Sequence, residues 1–421
     1  MPERRLNIRV CVYCRSLRLL LLLTNPAFQV LVWNFLALML FIVVPNKLVQ
    51  DFASESKILS FKGLFWYLTL TFSFIAGVLM PPKFSLSPPV DRVMLMIKRE
   101  WMTLSYLSLF LCVLGYLVWF RKFLVNFPEV LQLFVVFGAY KTRELLKESM
   151  ITGITTLTQF GIAASILFMI LYLFLKKRRY LLFSLLPLIL AIPRVVFFGE
   201  RLAFIEVFIP MIFVYLRYRP YKLKYLLTMA VLLFFVLWAT ELFRSYLSPT
   251  YNSTYTPLEF LFYRLIMYFV TTVNNGFLIF DKFVPLVDFL PHSLSFLYKL
   301  FHIQLQSSIE YVDLLEDFAN PEYNNKSAWG VLYYDWGIFS PVIAFILGWL
   351  SKIMYFSYKK GSFLGVVFYP IFLVFLFQSY RVLYVLSSRV YYAYTILILL
   401  YVIYEIKEAM VRFGDGCSYQ R

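Results

Sequence analysis

Apolar runs separated by short charged breaks recur along almost the whole chain, and this pattern limits the fold more than any motif does. Runs near 27–44, 63–80, 101–120, 152–174, 181–198, 202–216, 225–240, 329–350, 363–378 and 391–406 are each close to bilayer-crossing length; a helix needs roughly 20 residues for that. Charged residues make up 15% of the 421 positions against 61% hydrophobic, where a soluble domain carries about 25% charge. In hydrocarbon every backbone N–H and C=O has to be paired inside the protein, so the choice is a helix bundle or a closed barrel. The period-2 alternation of a barrel is absent. The expected fold is therefore an all-α polytopic membrane protein of about 10 transmembrane helices, a single integral domain over residues 1–421, with one long extracytoplasmic loop at 241–328.

Basic residues in short loops set the orientation. With a cytoplasmic N-terminus, the inner segments hold Arg4 to Arg18, Lys83 to Arg99, Lys176 to Arg179, Arg217 to Lys224, Lys352 to Lys360 and Lys407 to Arg421, which together carry 23 of the 40 lysines and arginines. Both termini are then cytoplasmic and the loop at 241–328 faces outward. The net charge of +17 reads as a topology signal plus attraction to anionic headgroups, so membrane lipids are expected partners and nucleic acid is not. The apolar stretch from Leu19 lacks a small-residue cleavage site and runs into a full span, which argues against a removable signal peptide.

Metal and redox chemistry find little to work with. Cys11 and Cys14 form a C-x-x-C with no βαβ setting, Cys112 sits in a span, and His292 and His302 belong to no ligand motif. There is no D-x-D pair or acidic cage for a hard cation. Neither a metal nor an organic cofactor is expected.

Ionisable residues near membrane depth are costly, so each one is a functional candidate. Arg194, Gly199, Glu200 and Arg201 stand at the outer end of a helical hairpin. Two readings stay open there: a local interfacial ion pair of Glu200 with Arg201, or Arg201 projecting into a cavity to hold an anion through its planar fork. Within the long loop, Phe260 to Phe280 is apolar but contains Arg264, Tyr268, Thr271, Thr272, Asn274 and Asn275. Arg264 and Tyr268, four apart, share one helical face. That face suits either an amphipathic interfacial helix or the lining of a substrate groove. Arg244 joins the same basic rim. The acidic residues Glu310, Asp313, Glu316 and Asp317 read as a solvated helix face, and Glu322 follows them.

The strongest local pattern is Asn324, Asn325, Lys326, Ser327, Ala328, Trp329, Gly330, then Tyr333, Tyr334, Asp335, Trp336, Gly337, leading into a late apolar run. This stretch resembles the signature of bacterial oligosaccharide repeat unit polymerases, the Wzy-type O-antigen polymerases, in which an Asn and a hydroxyl residue precede an aromatic-x-Asp-aromatic-Gly turn. Gly199-Glu200-Arg201 is similar to that family's Gly-x-Arg element, and Tyr263 to Phe277 to its loop segment. The related O-antigen ligases carry a His-Asn at the comparable loop edge; here Lys326 occupies the position of that His, which favours polymerase over ligase.

The resemblance implies a metal-independent membrane glycosyltransferase of the bacterial inner membrane, joining undecaprenyl-pyrophosphate-linked glycans on its outer face. A chain-length regulator and a flippase are the protein partners it implies. Arg201, Arg264, Arg244 and Arg194 are the expected pyrophosphate ligands. Tyr268, Tyr323 and Asn324 are expected to meet the sugar or organise the loop. Asp335 and Glu322 are the candidate catalytic carboxylates, although Asp335 suits equally an N-cap at the start of a late span. The rival reading outside enzymology is a transporter or flippase of an anionic lipid-linked substrate.

Overall fold

The computed structural model describes residues 21–82, 87–147, 151, 154–219, 228, 231, 255–282, 285, 315, 319–320, 323 and 325–418. Every regular element among the described residues is helical, and the β contact found there is an isolated bridge between Pro89 and Ser362. The order begins with α1 (Pro26–Val43), the short α2 (Asn46–Ala53) and α3 (Phe61–Leu79). The starts are written in the sequence. Asn25 accepts from Ala27 and Phe28 N–H ahead of Pro26, and Ser60 accepts from Gly63 N–H, satisfying donors that have no partner within their own helix.

Next come α4 (Val90–Met96), α5 (Lys98–Trp119), α6 (Arg121–Val125) and α7 (Phe127–Lys147). A 3-10 turn, Thr155–Gln159, leads into α8 (Phe160–Leu175), followed by α9 (Arg178–Phe198) and α10 (Arg201–Tyr218). The second half holds α11 (Pro257–Lys282), α12 (Ala328–Trp336), α13 (Ser340–Lys360), α14 (Phe363–Phe377) and α15 (Ser388–Ser418).

Six stretches among the described residues are long and apolar enough to cross a membrane: Pro26–Val43, Phe61–Leu79, Lys98–Trp119, Thr155–Leu175, Arg178–Phe198 and Ala328–Lys360. Four of the ten apolar runs are not among these six: that near 391–406, which lies within the helix Ser388–Ser418, and three others for local reasons. Phe363–Phe377 is apolar but short, α10 carries Arg201, Glu206 and Arg217, and the run 225–240 lies outside the described residues apart from Thr228 and Val231.

Besides the short α2, α4 and α6, two long helices among the described residues fall where the apolar runs left connections. One is α7. The other, α11, lies inside the stretch expected as loop, yet it packs against α1, α2, α3 and α12, and from Val270 to Phe280 its residues are buried without a break. Burial on all sides over Val270–Phe280 is not the pattern of an interfacial helix, whereas the first half keeps an apolar exposed face at Leu258, Phe262 and Leu265. Its start carries a reciprocal cap: Thr256 N–H and hydroxyl donate to Glu259 Oε2 at 3.0 and 2.7 Å, while Glu259 N–H donates to Thr256 Oγ1 at 3.4 Å. With Pro257 in the first turn this is a capping box.

The bundle centres on α8, buried from Phe160 to Leu171 and surrounded by α5, α9, α10 and α15. On the other side α3 and α13 pack backbone to backbone. A Cβ at Gly77 would overlap the Phe345 carbonyl, and one at Gly348 the Phe74 carbonyl. Hydrocarbon gives helices little reason to associate, so close approach through small residues supplies the contact energy instead.

Four of the basic segments meet at one end of the bundle. Arg217 donates to the Tyr358 and Lys359 carbonyls at 3.0 and 2.9 Å, Arg92 pairs with Glu408 at 3.1 Å, and Lys407 pairs with Glu100 at 2.7 Å. The turn before α14 joins them, Phe363 N–H donating to the Pro88 carbonyl at 2.8 Å. Helices α10, α14 and α15 each run between this end and the other, where the remaining buried charges collect.

Candidate functional site: an arginine and tyrosine cluster

Gly199 ends α9 in the left-handed region (φ 66°), a conformation glycine adopts without steric cost, and the chain re-enters helix at Arg201. That turn sets Arg194, Glu200 and Arg201 on one side of the bundle end. Arg194 is 3% exposed. Its Nε donates to Glu200 Oε2 at 2.8 Å, its Nη1 to Thr158 Oγ1 at 3.2 Å, and its Cζ lies 3.9 Å from the Trp119 ring centroid. A desolvated guanidinium over an indole face gains a cation–π term on top of the ion pair.

Arg389, at the start of α15, extends the network. Its Nη2 reaches Glu200 Oε2 at 3.3 Å and its Nη1 Glu206 Oε2 at 3.1 Å. Tyr384 hydroxyl donates to the same Glu206 oxygen at 3.2 Å. Buried ions need such multiple partners, because desolvation costs each several kcal/mol. Two arginines are thus matched to two glutamates, and three helices are tied together by charge.

Beside this balanced network sit three more arginines. Arg201 Cζ lies 4.9 Å from the Tyr268 ring centroid and Arg381 Cζ lies 5.4 Å from it. Arg264, 2% exposed, has its Cζ 5.6 Å from the Tyr323 ring centroid, and the Tyr268 and Tyr323 rings are 5.4 Å apart. Tyr380 packs parallel to Phe269 at 4.7 Å; burial raises its phenol pKa, with the Arg381 and Arg201 charges acting in the opposite direction. Arg201 also occupies the first position of α10, where the helix dipole is positive, so helix and side chain reinforce one sign. Among the described residues, five guanidinium groups and the carboxylates of Glu200 and Glu206 meet at this end.

The structure therefore brings Arg194, Arg201, Arg264, Tyr268 and Tyr323 of the sequence candidates into one neighbourhood. It gives Arg194 a partner role, since its guanidinium faces Glu200, Thr158 and Trp119. Arg244, Glu322 and Asn324 lie outside the described residues, as do Glu310, Asp313, Glu316 and Asp317. Asp335 is 4% exposed near the C-terminal end of α12, whose N-cap is Ser327, and the N-cap of α13 is Phe339. The expected capping role of Asp335 is thereby excluded.

Sequence reasoning missed Arg381 and Arg389, which stood in a short connection between the last two apolar runs. Their proximity to a membrane break was the available signal. It also missed Asn34, an amide buried in α1. Tyr67 hydroxyl and Trp329 Nε1 donate to its Oδ1 at 2.9 and 2.7 Å, and its Nδ2 donates to Ser379 Oγ at 2.7 Å. Through Asn34, the Trp329 of the motif stretch is linked to the turn that carries Arg381. Ser327 of the same stretch is fully buried with φ 58° and ψ 136°, a strained backbone for a residue with a side chain, pressed against Gly276 of α11.

Comparison of the chain with protein-family models, with characterised proteins and with solved structures gave no match.

Proposed function

We propose that this protein joins oligosaccharide repeat units carried on a polyprenyl pyrophosphate, undecaprenyl pyrophosphate in a bacterial inner membrane, at the outward-facing end of the bundle. The observation that carries the reading is the gathering of Arg201, Arg264 and Arg381 around the Tyr268 and Tyr323 rings. Arg217, at the far end of α10, meets the basic segments, and 16 residues of helix separate it from Arg201, about 24 Å. An anion headgroup at one membrane face fits that placement.

The chemistry asks little of such a site beyond holding charge. An acceptor hydroxyl attacks the anomeric carbon of the donor chain, the bond to pyrophosphate breaks, and the electron pair leaves with the phosphate oxygen. Guanidinium groups fixed in place stabilise that developing charge and spend no reorganisation energy as it forms. Aromatic faces offer a surface on which sugar rings pack and align. The hydroxyl proton passes to a carboxylate, Asp335 or Glu322 being the candidates from the motif region. A chain-length regulator and a flippase belong to the same reading as partners.

Purified full-length protein in lipid nanodiscs, given lipid-linked repeat units, is expected to yield a ladder of products differing by one repeat. A transporter yields no ladder, and a ligase moves glycan only when a different acceptor is supplied. Absence of a ladder from well-folded protein with its native donor would reject the proposal.

A further inference from the structure

Glu55 lies in the connection between α2 and α3, 5% exposed, and is bonded to two other parts of the chain. Asn320 N–H donates to its Oε1 at 2.7 Å and Asn274 Nδ2 to its Oε2 at 3.3 Å. Around it the bonds close a ring of three segments. Asn274 Nδ2 also donates to the Ser56 carbonyl at 3.1 Å and its Oδ1 accepts from Ile58 N–H at 2.7 Å. Asn275, the next residue of α11, donates from Nδ2 to the Tyr323 carbonyl at 2.9 Å and the Asn325 carbonyl at 3.0 Å. Asn320 Nδ2 donates to the Ala53 carbonyl at 3.0 Å. One asparagine of the pair thus grips the α2–α3 connection and the other grips the stretch bearing Tyr323, while Glu55 ties those two to each other.

We propose that Glu55 is a positioning residue that fastens the stretch carrying Asn320, Tyr323 and Asn325 onto α11, and so seats the Tyr323 ring against Arg264 and Tyr268. The role is positional because Glu55 acts through Asn320 and Asn274. Its value for catalysis rests on the polymerase reading above; the clasp itself does not.

Among the described residues no cation pairs with Glu55. Lys57, two residues on, spends its ammonium on the Val44 carbonyl at 2.7 Å and lies 5.0 Å from the Phe41 ring centroid. Lys47, Asp51 and Lys62 on the flanking helices are exposed, as is Lys282 on α11, whose Asp281 is half-buried. Burial therefore governs the carboxyl and raises its pKa to about 7, against the two hydrogen bonds that favour the anion. Ionised, Glu55 accepts both N–H groups; protonated, it turns an O–H toward a donor and gives one of them up. Glutamine at this position has one acceptor and gives one up at every pH.

The test uses full-length protein in nanodiscs with two measurements, hydrogen exchange of peptides spanning 319–327 and polymer formation against pH. Protonation of the buried carboxyl releases one N–H without bringing Glu55 into water. In the wild type, local exchange corrected for intrinsic chemistry is therefore expected to rise severalfold from pH 8 to pH 6, about the effect of one lost hydrogen bond, while the fold as a whole gains stability over the same range. Glu55→Gln is expected to exchange at the faster rate at both values and to flatten the polymer-formation profile between them. Glu55→Asp, which keeps the charge on a shorter arm, should retain the pH dependence of exchange. Equal exchange in wild type and Glu55→Gln at pH 8 would overturn the clasp, whatever the activity. Faster exchange with an unchanged polymer profile would overturn its positioning role, provided Arg201→Ala is inactive. Should Arg201→Ala and Arg264→Ala remain active, the polymerase reading fails, and the exchange measurement alone decides the clasp.

Discussion

Arg201 of α10 and Tyr268 of α11 meet at 4.9 Å, guanidinium carbon to ring centroid, although one stands in a hairpin turn and the other in an apolar segment expected within the long loop at 241–328. The pairing makes Tyr268 the shared floor for two arginines, since Arg381 reaches it at 5.4 Å.

Removing either cation should therefore damage the same step. A charge-assisted phosphate contact is worth about 1.5–3 kcal/mol, roughly one to two decades in rate. Arg201→Ala, Arg264→Ala and Arg381→Ala are each expected to lower polymer yield ten- to hundredfold at matched protein level. Lysine should rescue poorly, lacking the bidentate fork. Wild-type ladders from all three lysine variants would reduce these residues to anchors.

Tyr268 should act through its ring. Tyr268→Phe keeps the face that the two guanidinium groups lie over and is expected to retain most activity, whereas Tyr268→Leu should lose about as much as an arginine variant. Comparable losses in Phe and Leu would place the role in the hydroxyl.

The Glu206 network makes a stability prediction. Glu206→Leu leaves Arg389 with one fewer counter-charge and Tyr384 without its acceptor, and breaking a buried pair this way costs about 3–5 kcal/mol. Adding Arg389→Met removes the stranded cation while Glu200 keeps Arg194, so the double variant should recover part of the loss. Thermal unfolding in detergent reads both, and a double variant less stable than the single would contradict the pairing.

Glycine contacts between α3 and α13 should tolerate nothing larger. Gly348→Val drives a side chain into the Phe74 backbone and should cost about 1–3 kcal/mol or more, seen as a lowered unfolding temperature and yield. A variant as stable as wild type would mean the two helices do not pack at this point.

Stability should also change with pH at Glu55. Its pKa in the fold, about 7, stands above the ordinary 4.5, so the folded state holds this proton more tightly. The associated stability is complete below pH about 4.5 and is lost as pH rises through about 7. Its size is roughly 3 kcal/mol. Glu55→Gln has no such dependence, so the difference in unfolding temperature between wild type and variant should grow in the variant's favour from pH 5 to pH 8. A constant difference would mean Glu55 is not held protonated by burial.

The sequence by itself determined that the chain is a helical membrane protein, because runs such as Pro26–Val43 and Phe61–Leu79 leave the backbone no other way to pair in lipid. It also marked Arg194, Arg201, Arg264, Tyr268 and Tyr323, since arginine beside an apolar run is conspicuous in one dimension. The capping box that starts α11 is local as well, made by Thr256 and Glu259 three apart, although the apolar pattern alone does not mark it. Only the tertiary structure decided that α11 is core, because burial comes from α1, α3 and α12, which lie far from it in the chain. It alone brought Arg381 to Tyr268, matched Arg389 to Glu200 and Glu206, and closed Glu55 onto Asn274 and Asn320. Each of these joins residues more than a hundred positions apart, and no local periodicity, cap or spacing records which distant surfaces will meet.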